Sequence, residues 1–274
     1  MRHLRVEPWL LVLPVVVLLL IGFVLPVGTV LLSSVTTTGG GWTLENFTRF
    51  FESSFHLGAA WRSIRLAVIQ TVVVLVISLP LAYVMTRVSA RVQAFMMIAI
   101  VLPLMTSVVV RSFGWVILLG PAGPLADIPG FLQLSRTNQG LLGTELGINI
   151  AMVQVLIPFA VLSILGVLNG VDRRLEEASR TMGASFARTF GNVILPLSVP
   201  GLIAGGTLVF AMSISSFITP NLIGGAQIPV VASIIYTDAT TNLNWPFAAA
   251  QSVLMLIVVL ATIGITSKLA ARNR

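Results

Sequence analysis

The sequence predicts an all-α polytopic membrane protein with six transmembrane helices. Charged residues make up 9% of the 274 and hydrophobic residues 56%, and the mean hydropathy is +1.00. Soluble domains carry about 25% charged residues, so a water-soluble core is excluded. The apolar residues also fall in long continuous runs, not in the short alternating segments of a β-barrel.

A spanning helix needs about 20 apolar residues, and six stretches qualify: Trp9–Leu32, Ile64–Thr86, Val92–Leu118, Ile148–Leu168, Leu197–Thr219 and Pro246–Ser267. The first follows Arg2-His3-Leu4-Arg5. Its apolar run is too long for the core of a cleaved signal peptide and shows no small-x-small cleavage site, so it reads as an uncleaved span. The loop Ser33–Ser63 holds Gly39-Gly40-Gly41 and a predicted short surface helix capped at Thr43. The loop Leu119–Gly147 opens on the breaker cluster Gly120-Pro121-Ala122-Gly123-Pro124. Loops this long either line an outer vestibule or simply connect. Asn169-Gly170 stops the fourth span. Prolines at 14, 26, 80, 103, 158, 200 and 220 mark kinks or hinges, tolerated where neighbours satisfy the freed carbonyls. Gly201, Gly205 and Gly206 permit a close helix approach in the fifth span. The whole chain, 1–274, reads as one transmembrane domain.

Charge sets the topology. Eleven of the sixteen basic residues (Arg2, Arg5, Arg87, Arg91, Arg173, Arg174, Arg180, Arg188, Lys268, Arg272, Arg274) fall on one side, and Arg49, Arg62, Arg65 and Arg136 on the other. The positive-inside rule puts both termini and residues 171–196 in the cytoplasm. The net charge of +7 is thus a topology signal, and nucleic acid is not an expected partner. Without cysteine, disulfides and thiolate metal sites are excluded.

Residues 171–196 form the one long charged loop, between the uncharged runs Leu146–Val171 and Thr189–Thr237. Asp172 is a good N-cap. Leu175, Ser179, Met182, Phe186, Phe190 and Val193 recur at helical spacing, and Arg173, Glu177, Arg180, Ala184 and Arg188 take the other face. Glu176 and Arg180 make an i,i+4 pair in the favourable order. Gly183-Ala184-Ser185 predicts a bend between two short helices. Periodicity alone also fits a plain interfacial helix joining two spans.

Glu177-Ala178-Ser179, then Gly183, then Val193-Ile194-Leu195-Pro196 resemble the EAA loop of bacterial ATP-binding-cassette importer permeases, with serine where the third position is usually alanine. The resemblance extends through Leu102-Pro103-Leu104 with Val110–Trp115, Pro196–Gly201, Phe217–Pro220 with Gly224-Gly225, and Asn244–Ala250. These segments resemble the spermidine/putrescine group. The resemblance implies a type I importer permease fold in a bacterial inner membrane and a cytoplasmic coupling helix that docks on an ATPase. It further implies an ATPase dimer, a second permease subunit in a heterodimer, and an external solute-binding protein. Arg173, Glu176, Glu177, Ala178, Arg180, Gly183 and Arg188 are the expected coupling residues. The solute would be a small organic molecule of the polyamine type.

Arg111 is the ionic residue inside a predicted span; it either faces the pore, as attractor or gate, or snorkels to the interface. Ser213, Ser215, Ser216, Thr219 and Asn221 are the candidate solute path, although hydroxyls of this kind often bond only to their own helix. Without a carboxylate there, a zwitterionic or anion-bearing solute stands beside the polyamine. His3 and His56 are far apart, and Lys268 is the sole lysine, outside any phosphate-binding loop. No catalytic or metal site assembles, so ATP and Mg belong on a separate ATPase subunit. The alternative, an ion-gradient-driven secondary transporter, ordinarily needs intramembrane carboxylates or inverted repeats.

Overall fold

The structure is a computed structural model that describes residues 8–37, 39–125 and 140–272. Arg136 and much of the second long loop lie outside the described residues. Five helices are long and apolar enough to cross a bilayer: Val12–Ser34, Ser54–Met85, Glu145–Leu168, Phe186–Ile214 and Trp245–Lys268. Two further helix pairs are sharply bent, Ala90–Met105 with Val108–Leu119 at 97° and Ile218–Gln227 with Val231–Thr240 at 89°.

In order, α1 (Pro8–Leu19) runs through a π-turn, Leu20–Val24, into α2 (Leu25–Ser34). A surface helix, α3 (Glu45–Glu52), follows; its N-cap is Leu44, one residue after the expected Thr43, whose hydroxyl still accepts the Glu45 N–H at 3.0 Å. α4 (Ser54–Met85) has 32 residues and is about 48 Å long at 1.5 Å per residue. It begins ten residues before the expected span, because the charged Arg62 and Arg65 ride on a helix extended beyond the bilayer core.

The third expected span is broken. α5 (Ala90–Val101) passes into a 3₁₀ turn, Leu102–Met105, and α6 (Val108–Leu119) starts after an extended Thr106-Ser107. Pro103 has no N–H for the preceding turn and its ring crowds that turn's carbonyl, so the helix stops. α7 (Glu145–Leu168) is continuous; the Thr144 hydroxyl caps it by accepting the Gly147 N–H.

After α8 (Arg174–Thr181), α9 (Phe186–Thr189) continues through a second π-turn, Phe190–Ile194, into α10 (Leu195–Ile214). Both π-turns lie just before a proline, Pro26 or Pro196. The widened turn takes up the lost hydrogen bond without breaking the helix. The fifth expected span ends at Ile214, not Thr219. Pro220 cannot continue a helix from above but fits the first turn of α11 (Ile218–Gly224). α12 (Val231–Thr240) and α13 (Trp245–Arg272) complete the described chain. Asp238 thus sits in a helix of the second bent pair, whereas the sequence reading put no acid in any span.

The residues group into two compact units, one of Met1–Leu57 with Ile234–Ile257 and one of Gly58–Ser233 with Val258–Arg274. In the first, Asn46 Nδ2 donates to the Ser34 and Thr36 carbonyls, and Arg49 stacks over the Phe247 ring at 4.4 Å. Asp238 accepts from Gln251 Nε2 at 2.6 Å and Asn242 Nδ2 at 2.8 Å.

In the second unit α7 and α10 pack along their length. A Cβ on Gly201 would meet Ile164 Cα at 3.0 Å, and one on Gly205 would meet Ser163 Cβ at 3.2 Å and Ala160 Cα at 3.3 Å. The expected close approach is therefore made against backbone, which cannot yield. Gly201→Val and Gly205→Val should each destabilise the protein by about 1–3 kcal/mol, the cost of overpacking. Gly22→Val, with nothing near its Cβ, serves as the control. Thermal unfolding in detergent checks this, and equal melting temperatures for all three variants would contradict the packing.

Candidate functional site

The charged loop folds into two short helices. Asp172 Oδ1 accepts the Arg174 N–H at 2.9 Å just ahead of α8, whose N-cap is Arg173, one residue later than expected. Gly183 has φ +83°, the left-handed conformation that ends a helix. Ser185 then caps α9 by accepting the Arg188 N–H at 3.4 Å.

Side-chain placement divides the candidates. Glu177, Ala178 and Arg188 are exposed. Glu176 is buried, and its carboxylate accepts from Tyr83 Oη at 2.8 Å, Arg180 Nη2 at 2.9 Å and Arg87. Arg173 donates to the Thr86 carbonyl just past the C-terminal end of α4. These groups line a polar cup of about 200 Å³ made by Arg87, Arg173, Glu176, Glu177 and Arg180. On the apolar stripe, Phe190 packs edge-on to Tyr83, with ring centroids 5.5 Å apart. Leu175, Met182 and Phe186 are instead 49%, 84% and 55% exposed. Three large apolar side chains are thus bared on a loop otherwise rich in charge.

Arg111 turns back on its own bend. Its Nη1 donates to the Pro103 carbonyl at 2.7 Å. The same oxygen accepts Thr106 Oγ1 at 2.7 Å and the Thr106 N–H at 3.3 Å. The guanidinium therefore closes the carbonyl left open by the helix break, and its buried Nε has no partner among the described residues.

The five fifth-span candidates do not act as one cluster. Ser213 Oγ donates to Gln70 Oε1 at 2.5 Å, and Gln70 Nε2 donates to Asn149 Oδ1 at 3.0 Å. This buried amide–hydroxyl relay joins α10, α4 and α7. Ser215 bonds back to the Ala211 carbonyl, and Ser216 points at Met152 Sδ, 3.4 Å away. Thr219 pairs with Ser112 at 2.9 Å, linking the two bent helix pairs. Asn221 is exposed.

Gln70, Asn149, Ser112 and Asp238 were not among the residues the sequence singled out. A lone amide within an apolar run is a usable signal, since unsatisfied polar groups are costly there. Its partners lie 79 and 143 residues away, a distance that periodicity cannot bridge. Glu145, which pairs with Arg62 and Arg65 at the N-terminal end of α7, was likewise unforeseen.

Arg111→Gln should loosen the bend, because a hydrogen bond from a charged donor contributes about 1.5–3 kcal/mol. Spin labels at the exposed positions Phe95 and Ile117 should report one narrow distance with Arg111 present and a broadened distribution without it. An unchanged distribution would assign Arg111 to interfacial anchoring.

Comparison with known proteins agrees with this layout. Residues 75–273 match the family described as binding-protein-dependent transport system inner membrane component. The spermidine/putrescine transport system permease protein PotB of Haemophilus influenzae is 32% identical over 77% of this chain and 73% of its own length. PotB of Escherichia coli K12 is 30% identical over 79% and 78%. A bacterial ABC transporter involved in import of the acidic polysaccharide alginate shares the fold, with a TM-score of 0.81, 16% identity and coverage of 96% of this chain and 94% of that one. The MetNI methionine ABC transporter, inward facing, gives 0.57 at 20% identity, covering 80% and 95%. The ion-gradient alternative gains no support from these matches. The chain belongs to the binding-protein-dependent transport system inner membrane components and is the permease of an ATP-binding-cassette importer.

Proposed function

We propose that this permease carries a small organic solute of the polyamine type across the bacterial inner membrane, driven by a separate ATPase dimer that grips residues 171–196. The observation that carries the docking reading is the exposure of Leu175, Met182 and Phe186 on a loop otherwise rich in charge. Exposed Glu177 and Arg188 flank that patch and supply rim contacts, and Gly183 sets the angle between its two short helices. Both termini and this loop are cytoplasmic. A second permease subunit completes the pore as a heterodimer, and an external binding protein delivers the solute. ATP and Mg act on the ATPase, and this chain contributes no catalysis.

The polyamine reading rests on what the PotB relatives are named for. A second reading, a zwitterionic or anion-bearing solute, is favoured by the absence of a carboxylate among the candidate path residues Ser213, Ser215, Ser216, Thr219 and Asn221 and by Arg111 in the third span. Titrating the cognate binding protein with spermidine, putrescine and γ-aminobutyrate separates the two. Binding of the polyamines alone supports the first reading, and binding of the amino acid alone supports the second.

Leu175, Met182 and Phe186 changed together to serine should weaken ATPase association by at least about tenfold, since a few apolar anchors carry most interface energy. Co-purification at matched membrane abundance measures it, and undiminished association would sink the docking reading. Gly183→Val should impair uptake more than Gly183→Asn. Asparagine tolerates a left-handed φ, and a β-branched residue there is a backbone outlier. Ser185→Cys should label only from the cytoplasmic face and Thr240→Cys only from outside; the reverse pattern would invert the topology.

A further inference from the structure

Glu176 precedes Glu177, the acid of the EAA motif, and the two side chains differ in burial. Glu177 is exposed. Glu176 has 10% of its side chain exposed and spends both oxygens within the chain. Oε1 accepts Tyr83 Oη and Arg180 Nη2, and Oε2 accepts Arg87. Tyr83 lies in the last turn of α4, and Arg87 lies just past its end. The Arg87 guanidinium also lies over the Tyr83 ring, 5.0 Å from its centroid. Phe186 and Phe190 pack on the same ring at 6.0 and 5.5 Å, and Arg173 adds its bond to the Thr86 carbonyl. At its far end the loop runs without interruption through the π-turn into α10. At its near end, after the Asn169-Gly170 turn, this buried ion pair and hydrogen-bond node ties α8 to α4, while Ser179 and Thr189 pair at 3.0 Å between α8 and α9.

We infer that Glu176 is a positioning residue for coupling: it locks α8 to the C-terminal end of α4, so that displacement of the loop moves α4 and α10 together. Without the tie, a push on α8 is absorbed by rotation at Gly170 and Gly183. A buried carboxylate with three donors is suited to this, because removing its charge leaves two guanidinium groups without their anion. Glu177, which is exposed, is the acid of this pair available to a partner. α4 also carries Gln70, whose amide joins Asn149 and Ser213, so the helix that receives the loop's motion reaches the polar relay among the spans. This inference rests on the docking reading above and extends it from the ATPase surface to the permease interior.

The test uses the assembled importer in proteoliposomes, with solute uptake and ATP hydrolysis measured in one preparation. Glu176→Gln should leave ATPase association intact and lower the solute moved per ATP hydrolysed by about tenfold, the scale of a typical coupling free energy. Tyr83→Phe removes one donor and should give a smaller loss. The chain has no cysteine, so Tyr83→Cys with Glu176→Cys can be bridged specifically by a short bifunctional thiol reagent. Bridging should restore the coupling that the unbridged double variant lacks. Normal coupling in Glu176→Gln would overturn the inference. So would uptake falling in step with lost ATPase association, which would make Glu176 a docking contact, or failure of a completed bridge to restore transport. If the unaltered chain fails to hold the ATPase, the docking reading itself is what fails.

Discussion

A helix break inside a bilayer leaves a carbonyl that water cannot reach, and this constraint decides where the polar residues of the chain sit. Lipid supplies no hydrogen bonds, so each interrupted turn must be closed by the protein. At Pro103 the closure comes from the Thr106 hydroxyl and N–H and the Arg111 guanidinium. Ahead of Pro26 and Pro196 it comes from a π-turn that keeps the helix whole. At Thr144 a capping hydroxyl does the work. An arginine in the third span is thus explained first by backbone satisfaction. It remains a candidate for the solute path because most of its donors are not committed to Pro103.

The same constraint organises the functional parts. Polar contacts between spans of the second unit include the Gln70 relay and the Ser112–Thr219, Trp115–Gln154 and Thr207–Thr266 pairs, and α7 and α10 meet along a glycine seam. Outside the bilayer the rule relaxes. The loop 171–196 carries many charges, and there the chain separates two tasks onto adjacent acids, with Glu176 turned to α4 and Glu177 turned to solvent. The bare Leu175, Met182 and Phe186 would be an aggregation liability on an isolated chain; against a partner they are an anchor.

Much of this was legible in the sequence because the signals were local. Span composition, the turn at Gly183 and the Gly201–Gly205 approach each depend on residues a few positions apart. The third span misled because hydropathy sums over Pro103 as if it were any apolar residue, while the backbone stops there. The fifth was drawn too long for the same reason at Pro220, and α12 was missed because ten residues with an acid fall short of a spanning run. The apolar stripe of the loop was visible, but not which part of it would be covered, since Phe190 finds Tyr83 more than a hundred residues back. Glu176 was read as the partner of Arg180, which it is, yet its long-range donors Tyr83 and Arg87 are invisible to a helical-face argument.

The central claim is that residues 171–196 are where the ATPase engages this permease. Reactivity of a single Met182→Cys thiol measures it directly, because Met182 is the most exposed of the three apolar loop residues. Maleimide labelling in detergent should be fast for the permease without its ATPase and strongly suppressed once the ATPase is added, while a thiol at the lipid-facing position Val76 keeps its rate. Equal labelling of Met182→Cys in the free and assembled states would place the ATPase elsewhere and contradict the account.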